Sequence, residues 1–246
     1  MTKKFKGKHL KFLCVICFAL CFFAFMLTEA FINERCVEIL GSSVVNVIYT
    51  LGLVFTGFGF LSFPIFCKLC KVEKLRKIVV FNVSFLCFLS SIVLLITENQ
   101  VIFIVSSIAT LFFLGHIGSY MYYNMSIFFA ANKYMGRMIG IGMGAAIFLQ
   151  FVVQNLIPQF IVFMISILLS ITFVMYFIIK SPKKVITENI ISYSKHSQKG
   201  QKTAITLIVS ILLMSFVVGI IDSVLTSFNA EREYAIYSGV RLFYAF

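Results

Sequence analysis

The sequence predicts an all-α, polytopic membrane protein, and three observations carry that prediction. Of the 246 residues, 61% are hydrophobic and only 12% are charged, too few polar groups to cover a soluble core of this size. The apolar residues fall in long runs, several of about 20 residues, the length a helix needs to cross the hydrocarbon of a bilayer. The basic residues fall between those runs, clustered on every second connection. Helices follow because a backbone in lipid must satisfy its own polar groups. Segments of about ten alternating residues, the mark of a membrane β-barrel, do not occur.

The first apolar run spans Leu10 to Phe31, after Lys3, Lys4, Lys6, Lys8 and Lys11. It is too long for a signal peptide and lacks a small-residue cleavage site, so a retained helix is expected. The second run spans Ser43 to Phe66 and the third Ile78 to Ile96. The fourth, Val101 to Ala130, exceeds one bilayer thickness and is expected to tilt or protrude. The fifth spans Met138 to Ile157 and stops at Pro158; the sixth spans Phe160 to Ile179. A polar stretch from Lys180 to Thr203 precedes a seventh run, Ala204 to Leu225. A last apolar run opens near Tyr234 and stops at Phe246, too short to cross. The expectation is a chain cut inside an eighth helix; the other reading is a seven-helix protein with a short outer tail.

Charge sets the expected orientation. With the amino terminus inside, the inner segments hold all of the 21 basic residues except Arg35, Arg232 and Arg241. Glu34, Glu38, Glu98, Glu231 and Glu233 fall outside. This is the positive-inside pattern, and it predicts an integral protein of the plasma membrane with a cytoplasmic amino terminus. The net charge of +12 is spread over these loops and makes no continuous basic surface, which argues against nucleic acid as a partner. The bilayer is the expected partner.

Cys14, Cys17, Cys21 and Cys87 lie within apolar runs, where cysteine acts as a small hydrophobe. Cys67 and Cys70 form a single C-x-x-C with no second ligand pair, so no metal site is expected. His9, His116 and His196 are scattered, and no nucleophile, P-loop or dinucleotide motif occurs. Neither a catalytic set nor a cofactor is expected.

The outer segments after the first and seventh runs share an order of features. Phe31-Ile32-Asn33-Glu34-Arg35 is similar to Phe228-Asn229-Ala230-Glu231-Arg232, and Gly41-Ser42 and Ser238-Gly239 each open the next run. Duplication of a six-helix unit accounts for that order; chance likeness of two short loops is the alternative. Six helices, a basic central loop and a second set that begins like the first resemble the major facilitator superfamily. So do the basic second inner loop, with Arg76 and Lys77 the nearest match to that family's signature, and Lys133-Tyr134-Met135-Gly136-Arg137-Met138-Ile139-Gly140-Ile141-Gly142 at the junction of the fourth and fifth helices. The signature's Gly and Asp are missing, as are the fourth-helix arginine and the fifth-helix Gly-Pro pair, so the resemblance implies neither proton coupling nor a subfamily.

The resemblance implies a twelve-helix secondary transporter. Residues 1–179 would form its amino-terminal bundle, 180–203 a cytoplasmic central loop, and 204–246 the start of the second bundle. It implies alternating access for a small solute, with a possible coupling ion, and no activity in a fragment without the second bundle. The rivals are a seven-helix sensor or receptor and a membrane scaffold subunit. A receptor of the usual kind has the opposite orientation.

Four groups of residues stand out. His116, Tyr120, Tyr123 and Asn124, flanked by Ser119, share one face of the fourth helix at helical spacing. A polar stripe in lipid is costly, so it should face the bundle interior, where it could bind solute or relay protons. A tyrosine belt at the interface is the plainer reading. Gly136, Gly140 and Gly144 recur every four residues, a row that lets helices approach, with Gly142 between them. Gln150 and Gln154 share a broad face and would glue helices or line a site. Glu29 and Asp222 lie nearest the membrane interior among the acidic residues and would serve an outer gate or attract a cation. Asn46, Asn82 and Arg241 are further candidates for burial.

Overall fold

In a computed structural model the described residues are 2–70, 72–129, 135–156 and 160–181. They form helices without strands. All six helices are long and apolar enough to cross a membrane, so the described part is a helical, membrane-embedded type of bundle. The seventh run, the partial eighth, most of the central loop, Asp222 and Arg241 lie outside the described residues.

Helix α1 covers Thr2–Leu40, 39 residues. At 1.5 Å per residue it is about 58 Å long, well beyond a hydrocarbon core of about 30 Å. It runs through Glu34, Arg35 and Glu38, which the sequence placed in a loop. The reason is local: Arg35 bonds Glu38 one turn on, at 2.7 Å, and nothing in Asn33–Leu40 breaks a helix. The break comes at Gly41, whose φ of 88° suits glycine and whose N–H closes on Val37 O at 3.1 Å. Helix α2, Ser42–Leu69, follows at once.

Helix α3, Glu73–Ile96, begins earlier than its apolar run because Lys74, Arg76 and Lys77 are good helix formers. Between α3 and α4 (Gln100–Phe129) the side chain of Asn99 accepts from the N–H groups of Val101 and Ile102, at 3.0 and 3.2 Å. That is an N-cap, which satisfies two of the donors a helix start leaves unpaired. Helix α5, Met135–Phe151, widens into a π-helical turn at Val152–Leu156. Helix α6 is Phe160–Lys180.

Helices α1 and α4 are the centre. Helix α4 packs on α1, α2 and α3, and α1 packs on α2, α4, α5 and α6. Side-chain pairs fix the directions. Lys11 lies over the ring of Phe129, while at the other end Gln100 Nε2 donates to Ile39 O at 3.1 Å, so α1 and α4 are antiparallel. The rings of Phe31 and Phe160 meet at a tilt with centroids 5.9 Å apart, and Cys17 Sγ lies 3.6 Å from Phe173 O, so α1 and α6 are also antiparallel. The helix ends sort by charge. Lys11, Lys68, Lys74, Arg76, Lys77, Arg137 and Lys180 mark one end of the bundle, with Glu73 among them, and Glu34, Glu38 and Glu98 the other, with Arg35 paired to Glu38.

Lys77 closes the basic end. Its Nζ donates to the carbonyls of Ile179 and Ser181, at 2.7 and 2.9 Å. Those carbonyls lie at the carboxyl end of α6, where acceptors lack partners and the helix dipole favours a cation.

The lipid-facing side is legible in α2. Ile48, Gly52, Gly59 and Phe63 are buried, whereas Leu53, Val54, Phe58, Leu61 and Ile65 are exposed. One stripe meets the bundle and the rest suits hydrocarbon. Asn82, expected to be buried, is exposed. Helix α3 turns Val80, Ser84, Cys87 and Ser91 inward, and a residue two positions from Val80 and Ser84 lies on the opposite side.

Candidate functional site

Two glycines build the site. Helices α2 and α4 run parallel and meet backbone to backbone. A Cβ on Gly59 would collide with the carbonyl of Phe112, and one on Gly115 with the carbonyl of Thr56. Each helix therefore contributes one missing side chain to the contact, and the chains close to a distance no other residue permits. Gly52 continues the seam, since a Cβ there would meet Leu111 at 2.6 Å.

That approach brings Ser62 to His116. Ser62 Oγ lies 2.6 Å from His116 Nδ1 and also 2.6 Å from the carbonyl oxygen of Gly59, one turn back on α2. The other ring nitrogen, Nε2, is buried and has no hydrogen-bond partner among the described residues. The ring of Phe63 stands edge-on to His116, with centroids 5.5 Å apart, and also meets Tyr120 and Tyr123. These are favourable edge-to-face geometries, and they hold the imidazole within an aromatic wall.

The polar stripe of α4 faces inward as expected. His116 and Ser119 are 5% exposed, Tyr120 7% and Asn124 3%. Tyr123 is half-buried. Asn124 turns back to donate to Tyr120 O at 2.8 Å. Higher on α4, Thr110 donates to Ser90 Oγ at 3.0 Å, and Ser90 donates on to Cys87 O, tying α4 to α3.

Gln150 is buried and Gln154 half-buried. Depth can be read from Phe18, whose ring meets Tyr122 at 4.9 Å and would meet a Cβ on Gly142 at 2.7 Å. From those two contacts His116 lies about 9 Å further along α4 and Gln150 about 12 Å further along α5, both towards the acidic end. They share a level near the middle of α1, although no hydrogen bond joins them: His116 bonds Ser62 alone among the described residues. Glu29 is buried on α1, nearer the acidic end. Asp222, its expected companion, lies outside the described residues.

The glycine row of α5 is covered only in part by the described helices. Apart from its own stretch of helix, no described atom lies within 4 Å of a Cβ placed on Gly136 or Gly140, and only Gly144 of the three is buried. Among the described residues Gly142, off the row, makes a tight contact with Phe18 of α1. Row spacing names a face of a helix without saying whether a neighbour covers it.

Sequence reasoning missed Gly59, Ser62, Phe63 and Gly115. A signal was present: Gly52, Thr56 and Gly59 sit at small-residue spacing on α2, as do Gly115 and Ser119 on α4. Comparison of the chain with protein-family models, with curated proteins and with solved structures gives no match. Among the described residues no group of three or more His, Cys, Asp or Glu could hold a metal ion.

Proposed function

We propose that these helices are the amino-terminal bundle of a secondary transporter that moves a small solute by alternating access, on the pattern of the major facilitator superfamily. The observation that supports this reading most is His116. It is buried at mid-depth in a membrane-type bundle, with one nitrogen unpartnered among the described residues. Polar groups at such depth are expensive and mark solute or ion pathways by default. In transporters built from repeated bundles the site lies near the midplane, at the face one bundle turns to the other.

In this reading His116 and Gln150 contribute polar contacts at mid-depth, with Tyr120 and Gln154 beside them. Glu29 acts towards the acidic end, which is the outer mouth, paired with Asp222 of the second bundle. The bundle sits in the plasma membrane with its basic end in the cytoplasm, in keeping with the clustering of Lys and Arg at that end.

The test is uptake into liposomes by the chain together with any continuation its reading frame encodes, screened against a panel of small solutes. His116→Ala should reduce uptake by about tenfold, the worth of one buried hydrogen bond of about 1.4 kcal/mol. Asn82→Ala, on the exposed side of α3, should leave it unchanged. A protein that takes up no solute, or one indifferent to His116→Ala, rules the reading out.

A further inference from the structure

We propose that Ser62 is a positioning residue that fixes which nitrogen of His116 carries the proton. The significance of this rests on reading the bundle as a solute path, but the chemistry is independent of it. Ser62 Oγ has one proton and two neighbours at 2.6 Å, His116 Nδ1 and Gly59 O. A carbonyl oxygen can only accept. If Ser62 gave its proton to Nδ1, the lone pairs of Oγ and Gly59 O would face each other at 2.6 Å, a repulsive contact. Both short distances are hydrogen bonds under one assignment alone: Nδ1–H donates to Ser62 Oγ, and Ser62 O–H donates to Gly59 O.

The consequence falls on the other side of the ring. A neutral imidazole protonated at Nδ1 carries a lone pair at Nε2, and Nε2 is the atom without a partner among the described residues. The chain Gly59–Ser62–His116 thus converts a backbone carbonyl of α2 into a hydrogen-bond acceptor on α4. Such an acceptor suits a ligand that presents an O–H or N–H group. The seam at Gly59 and Gly115 is what lets so short a side chain as serine reach across.

Nitrogen NMR tests the assignment on the full chain in lipid bilayers, with isotope-labelled histidine and with His9→Gln and His196→Gln so that only His116 reports. The expected spectrum shows a protonated Nδ1 and an unprotonated Nε2. Ser62→Ala should lose that single form, and Ser62→Thr, which keeps the hydroxyl, should retain it. A proton on Nε2, a doubly protonated ring in the parent chain, or an unchanged spectrum in Ser62→Ala overturns the proposal. If Ser62→Ala does not fold, the parent and Ser62→Thr spectra decide it. No solute is needed, so a protein that fails to transport still gives this answer, and a transporter with the opposite tautomer refutes only the role of Ser62.

Discussion

Ser62 and His116 show how much of a site can hang on one hydroxyl. Removing it in Ser62→Ala leaves Nδ1–H buried without an acceptor, which costs about 1–3 kcal/mol. Thermal unfolding in detergent should register that loss, while Ser62→Thr stays close to the parent. His116 was legible in the sequence, because a histidine inside an apolar run is rare and its neighbours Tyr120 and Asn124 repeat at helical spacing. Ser62 was not. Serine in a membrane helix bonds its own backbone so often that its type carries no signal, and its partner lies 54 positions away. Asn82 misled for a related reason: residue type argues for burial, but the side of α3 that meets α4 and α6 is chosen by Val80, Ser84 and Cys87.

Helix by helix, the glycines separate into two kinds that spacing alone cannot tell apart. Gly59→Ala and Gly115→Ala set a methyl against a backbone carbonyl, which cannot swing aside as a side chain can. Each should destabilise the bundle by about 1–3 kcal/mol and break the bond from Ser62 to His116. Gly140→Ala meets no neighbouring helix among the described residues and should gain stability, by up to about 1 kcal/mol of helix propensity. Melting curves of the three variants in one detergent check both statements; equal loss in all three would contradict them. The ends of helices were read well where a cap or breaker stands, as at Gly41 and Asn99. They were read poorly where polar residues continue a helix, as in Asn33–Leu40 and Glu73–Lys77. Hydropathy marks the part of a helix that sits in lipid, and the helix itself ends where hydrogen bonding ends. At the close of α6 the amine of Lys77 does that work, and Lys77→Gln should raise amide exchange in the last turn of α6 while leaving the middle of α4 unchanged.

Taken as a whole, the bundle divides its charge between its two ends, and that division was visible in the spacing of lysines before any helix was placed. Orientation can be tested with native thiols. Cys67 and Cys70 are partly exposed at the basic end, and Cys36 is buried at the acidic end. A membrane-impermeant maleimide should label Cys67 or Cys70 only after cells are opened; labelling of intact cells would reverse the orientation. Packing order was not legible, since nothing in composition says that α1 and α4 take the centre and α2 the edge. The seam between α2 and α4 bears on movement as well as on chemistry. Sliding one helix past another by a turn requires about 5.4 Å of travel, and here it would drive the carbonyl of Phe112 out of the notch at Gly59 and into the side chains on either side of it. Helices α2 and α4 therefore tilt together, as a single lever with two shafts, and any rocking of the bundle carries Ser62 and His116 along without parting them.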